Sequence, residues 1–81
     1  MKQTLYRGYT ITGTAKNQHG TWQPDVRISW PLGKRAVNVH EPTSFSTQDE
    51  AEEIALRVGK HWVNNRLLVR QLRSDYFKKF R

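Results

Sequence analysis

The chain has 81 residues, a formal net charge of +7 and no cysteine. This length allows one small domain, and the lack of cysteine excludes disulfides, thiolate catalysis and cysteine-ligated zinc. No apolar run approaches the roughly 18 residues that span a bilayer, and the first residues lack a signal-peptide pattern, so we expect a soluble cytoplasmic protein. The basic charge suggests an acidic partner of one of three kinds, namely nucleic acid, an anionic membrane surface or an acidic protein. We expect no insertion into a membrane.

The first half of the chain shows the two-residue alternation of half-buried strands. Three strands are predicted, over residues 4–15, 21–30 and 34–41. Turn residues separate them at 16–20 and 31–33. Because both connections are short, we expect an antiparallel meander with strand order 1-2-3.

The alternation also assigns side chains to the two faces of this sheet. The inner face is predicted to carry Leu5, Tyr9, Ile11, Trp22, Val26, Ile28, Trp30, Val37 and Val39. The outer face is predicted to carry Tyr6, Thr10, Thr12, Ser29, Asn38 and His40, with Arg27 as its main central cation. Such a one-sided sheet needs a cover for its apolar face.

Four of the seven acidic residues lie within one short stretch, at Asp49, Glu50, Glu52 and Glu53. Thr47 followed three residues later by Glu50 matches a capping box, and negative charge is favoured at the start of a helix. We therefore expect a helix from about residue 47, with these carboxylates turned to solvent. The cluster is interpreted as structural and not as a catalytic carboxylate pair.

The predicted helix has one apolar stripe, which we expect to cover the sheet. Its members are Ala51, Ile54, Ala55, Val58 and Trp62, with Ile54 and Val58 buried against Ile28 and Trp30. Gly59 interrupts the stripe at a cost of about 1 kcal/mol relative to alanine. A close approach of the helix to the sheet, against an aromatic ring, would explain why glycine occupies this position.

The last 16 residues carry six basic residues and one acidic residue, and they follow the pattern of a basic amphipathic helix. One arc contains Leu68, Val69, Leu72, Tyr76 and Phe80, and an adjoining arc contains Arg66, Arg70 and Arg73. The sequence thus predicts an α+β fold. A three-stranded meander with one covering helix forms a core domain over 1–66, followed by a helical extension over 67–81.

Four segments, YRGYTI (6–11), GTWQPDVRISW (20–30), SFSTQDEAEEIAL (44–56) and GKHWVNNR (59–66), together resemble a family of short bacterial proteins. The resemblance implies a β-β-β-α fold and little about function. Tyr6-Arg7-Gly8, Trp22 and the stretch 45–51 are also similar to plant ethylene-response-factor DNA-binding domains. Those domains read DNA with an Arg- and Trp-rich sheet face, whereas the outer face predicted here is mostly Thr, Ser and Asn.

No nucleophile motif or phosphate-binding glycine loop occurs, and His19, His40 and His61 lack the spacing of metal ligands. We therefore expect no enzymatic activity, no cofactor and no metal site. The favoured interpretation is a non-catalytic binding or protein-interaction module, acting as a monomer or weak homodimer through Leu68, Leu72, Tyr76 and Phe80. The alternative is a nucleic-acid-binding protein. Its phosphate contacts would come from Arg27, Lys34, Arg35, Arg66, Arg70 and Arg73.

Overall fold

A computed structural model describes the backbone of residues 1–33 and 35–78, and the side chains of these residues as far as Arg70. The strands are β1 (Lys2–Tyr6), β2 (Tyr9–Gln18), β3 (Thr21–Ser29) and β4 (Ala36–His40). A short 3-10 turn covers Pro31–Gly33, and one long helix, α1, covers Gln48–Lys78. The strands form one antiparallel sheet in the order β1-β2-β3-β4, so the fold is α+β as predicted.

The sheet has four strands, and the prediction of three was wrong because the first predicted strand contains a hairpin. Arg7 and Gly8 have φ values of 51° and 88°, which are typical of a two-residue turn between twisted strands. Tyr6 therefore pairs with Tyr9 across the hairpin, and both side chains face the helix. Leu5, predicted on the inner face, is instead 74% exposed.

The core lies between the inner face of the sheet and the first half of α1. Its fully covered side chains come from the two central strands and the helix: Tyr9, Ile11, Val26, Ile28, Ala55 and Val63. Val37 and Val39 pack at its margin, as the alternation predicts. Their cross-strand partners are Ile28 and Val26.

Two glycines allow the helix to lie close to the sheet. A Cβ atom at Gly13 in β2 would lie 2.9 Å from the backbone oxygen of Glu52. A Cβ atom at Gly59 in α1 would overlap the Cγ2 methyl of Ile11. The close approach predicted for Gly59 is therefore confirmed, although its neighbour is an aliphatic side chain and not an aromatic ring.

This close approach also corrects the predicted phase of the helix. The buried positions form a row of small side chains four residues apart, at Ala51, Ala55, Gly59 and Val63. The larger Val58 and Trp62 are half-buried beside this row, and Trp30 likewise only packs against the core. Ile54, predicted to be buried with Ile28, is half-buried and lines a shallow groove with Phe45.

The helix begins as the sequence predicts but continues further. The Thr47 Oγ1 atom accepts a hydrogen bond of 3.2 Å from the backbone N–H of Glu50, which confirms the N-terminal cap. No separate C-terminal helix forms within the described residues, since α1 continues through Asn64 and Asn65. At 31 residues it is about 46 Å long, and it accounts for most of the 57 Å length of the molecule.

Candidate functional site

Opposite charges lie at opposite ends of the molecule, because α1 runs in the same direction as β1 and carries acidic residues at its start and basic residues further along. The start of α1 lies beside the start of β1, and Asn64 of α1 lies beside the β1–β2 turn. Residues 54–74 contain five arginines and lysines and no acidic residue, whereas residues 48–53 contain four acidic residues and no basic one. We call the part of the molecule around residues 54–74, with the neighbouring β1–β2 turn and β3–β4 connection, the basic end. The part around residues 48–53 is the acidic end.

At the acidic end, the carboxylates attach the first strand to the helix. The Lys2 ammonium lies 2.9 Å from Asp49 and 2.6 Å from Glu53. Glu52, expected in solvent, is only 6% exposed and binds the amino group of Met1 at 2.8 Å. Three of the four carboxylates thus form ion pairs with Met1 or with Lys2 of β1, in addition to lying at the helix start, where the helix dipole favours negative charge.

These contacts change the pKa values of two groups at the acidic end. The hydrogen bond from the amino-terminal ammonium lowers the pKa of Glu52, and the Gln48 amide contributes in the same direction. The hydrogen bonds to Glu53 and Asp49 raise the pKa of Lys2. Both shifts favour the charged forms, as expected for groups in ion pairs.

The basic end is built around Trp30, which follows β3. The Trp30 ring packs edge-on against Tyr9 and Trp62, with centroid separations of 5.8 and 5.3 Å. The guanidinium carbon of Arg66 lies 4.8 Å from the Trp30 centroid, and that of Arg35 lies 5.8 Å from it. These distances are typical of cation–π contacts, so a cation that precedes β4 and a cation from α1 meet on one indole.

A second set of contacts fixes the β1–β2 turn beside this cluster. The Asn64 Oδ1 atom accepts hydrogen bonds from the Tyr6 hydroxyl and from the Arg7 guanidinium, both at 2.9 Å. The Lys60 ammonium lies 5.7 Å from the Tyr6 ring centroid. The prediction that placed Tyr6 on the outer sheet face was therefore wrong, since its ring and hydroxyl contact the helix.

An open groove on the helix completes the basic end. It is lined by Trp62, Asn65, Arg66, Val69 and Arg70, and its volume is about 460 Å³. Arg66 contributes both to the groove and to the contact with Trp30, so the two parts form one surface. The basic end of the described residues therefore consists of Arg7, Arg35, Lys60, Arg66 and Arg70 around partly exposed aromatic rings. Such a surface can bind anions and planar groups.

The structure separates the predicted phosphate-contacting residues into two groups. Arg35, Arg66 and Arg70 lie at the basic end, as one surface. Arg27 lies on the opposite face of the sheet, between Thr12 and Asn38 on the neighbouring strands. Lys34 and the side chain of Arg73 lie outside the described residues.

The predicted protein-interaction residues are described only in part. The Leu68 side chain is 55% exposed, and the neighbouring Val69 is 53% exposed. Leu72 and Tyr76 lie within α1, but their side chains are outside the described residues, as is all of Phe80. The division into a 1–66 domain and a 67–81 extension stays a prediction, and α1 crosses that boundary without a break.

Four residues of the basic end were not predicted as functional from the sequence, namely Arg7, Lys60, Trp30 and Trp62. Arg7 and Lys60 act here through partners more than 50 residues away along the chain, Asn64 and Tyr6. The two tryptophans were assigned to the core because apolar periodicity does not distinguish a buried ring from one at the margin. The signal that could have found this end was the lack of acidic residues from 54 to 74.

Within the described part of the chain, no group of three or more histidine and acidic side chains is placed to hold a metal ion. His40 Nδ1 lies 3.3 Å from Asp25 Oδ1 on the outer face, as an isolated pair. The described length of α1 has no segment that is long and apolar enough to cross a membrane.

Comparisons with models of protein families, with characterised proteins and with solved structures find no significant match to this chain. Both family resemblances of the sequence therefore stay predictions. The function is therefore inferred from the geometry of the basic end.

Proposed function

We propose that this protein binds nucleic acid through its basic end. The observation that carries the proposal is the pair of guanidinium groups, from Arg35 and Arg66, held against the single indole of Trp30. A guanidinium over an aromatic ring can still donate its N–H groups to phosphate oxygens, and its planar fork suits bidentate binding. Arginines placed in this way are suited to contact a phosphodiester backbone.

The charge around this pair supports the proposal. None of the ion pairs formed by the described residues includes Arg35 or Arg66, and the nearest acidic cluster is at the other end of the molecule. Arg7, Lys60 and Arg70 extend the positive charge along the same end. Half-buried Trp62 adds an aromatic edge, and positive grooves bordered by aromatic rings are typical of sequence-tolerant binding to nucleic acid.

A salt titration with a matched pair of variants tests the proposal. The affinity of the parent protein for a labelled DNA duplex and for a single strand should fall with salt, with a log–log slope of roughly −0.9 per phosphate contacted on the duplex. The double variant Arg35→Gln with Arg66→Gln should reduce the magnitude of that slope by about one unit per lost contact.

The control variant Lys16→Gln with Arg27→Gln removes the same charge from elsewhere in the molecule. It should leave the slope almost unchanged. If the control pair reduces the slope and the Arg35/Arg66 pair does not, binding occurs on the outer sheet face. A parent protein whose affinity does not depend on salt would refute the proposal altogether.

A second candidate function is protein interaction through the exposed part of α1, which is the interpretation that the sequence favours. The supporting observation is that Leu68 and Val69 are adjacent, apolar and more than half exposed. Replacing both with serine should lower the apparent mass in sedimentation if copies of the chain associate there. Replacing Arg66 and Arg70 with glutamine should change the mass little in that case. Equal masses for the parent and the serine variant would exclude self-association through this surface.

A further inference from the structure

Leu32 lies in an unfavourable conformation at the tip of the β3–β4 connection. Its side chain is 92% exposed, more than any other large hydrophobic side chain that the structure describes. Its backbone has φ 73° and ψ 1°, a left-handed conformation that glycine and asparagine adopt far more readily than leucine. A glycine or asparagine at this position would relieve the steric cost and would expose no apolar side chain.

Backbone hydrogen bonds close the base of this tip next to the basic end. The backbone N–H of Gly33 donates to the Trp30 carbonyl at 3.0 Å, and the Trp30 N–H donates to the Arg35 carbonyl at 2.9 Å. Pro31 lies near the β1–β2 turn, since a Cβ atom added at Gly8 would lie 3.4 Å from the proline ring. Leu32 thus projects from a turn in which Trp30 forms backbone hydrogen bonds with Gly33 and Arg35.

Leu32 lies in the chain between Trp30 and Arg35, which belong to the basic end. The Arg35 guanidinium lies over the Trp30 ring, and the β1–β2 turn, which contains Arg7, lies near Pro31. An apolar tip flanked by phosphate-binding cations is the arrangement with which many proteins insert a side chain between base pairs.

We propose that Leu32 is a wedge that inserts between adjacent bases of a DNA duplex held by the basic end. This inference rests on the proposed function and adds a mode of binding to it. The cations would set the position of the backbone, and the leucine would unstack one base step next to it. Pyrimidine–purine steps are the most easily unstacked, so the protein should prefer duplexes that contain them.

The test uses duplexes with 2-aminopurine, a base analogue whose fluorescence rises when it loses stacking. The parent protein should raise this fluorescence on binding at a TA step. Leu32→Asn removes the apolar side chain and suits the left-handed backbone, so it should fold at least as stably as the parent protein. It should bind several-fold more weakly and lose the fluorescence rise, while keeping the same salt slope because the phosphate contacts remain. Leu32→Met should keep the rise.

The outcomes separate this inference from the proposed function. Salt-dependent binding by the parent protein with no fluorescence rise, or an equal rise with Leu32→Asn, would refute the wedge and leave the proposed function standing. Absence of any binding to duplex or single strand would refute both. Vesicles of phosphatidylcholine and phosphatidylserine provide a last comparison. Binding to them that Leu32→Asn abolishes, in a protein that leaves 2-aminopurine stacked, would assign Leu32 to a membrane surface and overturn the wedge.

Discussion

Replacing Gly59 with alanine tests the packing of α1 on the sheet, which brings Lys60 beside Tyr6 and Arg66 beside Trp30. Two effects of opposite sign compete. In an exposed helix, a glycine-to-alanine change stabilises by about 1 kcal/mol through backbone entropy. At this position the new methyl would overlap Ile11 Cγ2 and would lie 3.2 Å from Val26 Cγ1.

Both of these neighbours are buried methyls of central strands, so they cannot move aside as the end of a flexible side chain would. Overpacking of this kind costs about 1–3 kcal/mol and occasionally more. The overlap with Ile11 places the steric cost above the gain in helix propensity, and the net result should be destabilisation by up to about 2 kcal/mol. A change of this size lowers the melting temperature of a domain of about 60–100 residues by several degrees.

Urea denaturation followed by tryptophan fluorescence measures the effect. His61→Ala is a matched control, because His61 is an exposed residue of the same helix and its replacement changes helix propensity with little loss of packing. This control should be neutral or slightly stabilising. Gly59→Ala combined with Ile11→Leu, which removes the Cγ2 methyl, should show a favourable coupling of at least about 0.5 kcal/mol. A Gly59→Ala protein more stable than the parent protein would refute the close approach.

Two further predictions concern the start of the helix. Thr47→Ala removes the acceptor for the Glu50 N–H and should lower the free energy of unfolding by about 1 kcal/mol. An unchanged urea midpoint would contradict the cap. Glu52→Gln should make the free energy of unfolding less dependent on pH in the acidic range. Because the folded pKa of Glu52 is lowered from 4.5, its contribution is present above that pH and is lost as the pH falls through the folded value. Melting temperatures of parent and variant should therefore differ at neutral pH and converge in acid; a constant difference would contradict the ion pair with Met1.

The sequence alone determined the elements whose signals are local. Alternation assigned Val26, Ile28, Val37 and Val39 to one face, because strand side chains point to opposite faces whatever lies above them. The cap at Thr47 could be predicted because it needs only neighbouring residues. The charge division between residues 48–53 and 54–74 is also a property of the sequence, and it is the basis of the two ends.

The tertiary structure alone decided how those elements and charges meet. The Arg7–Gly8 turn was missed because an arginine in a left-handed conformation has no sequence signature, and the error reversed the face of Tyr6. The rotation of α1 depended on close contacts at Gly13 and Gly59, which periodicity cannot reveal because glycine carries no hydrophobic signal. Burial of Glu52 followed from the amino group of Met1, which lies 51 positions away along the chain. The contact of Arg35 and Arg66 with Trp30 joins two separate elements, so only folding brings these cations onto one ring.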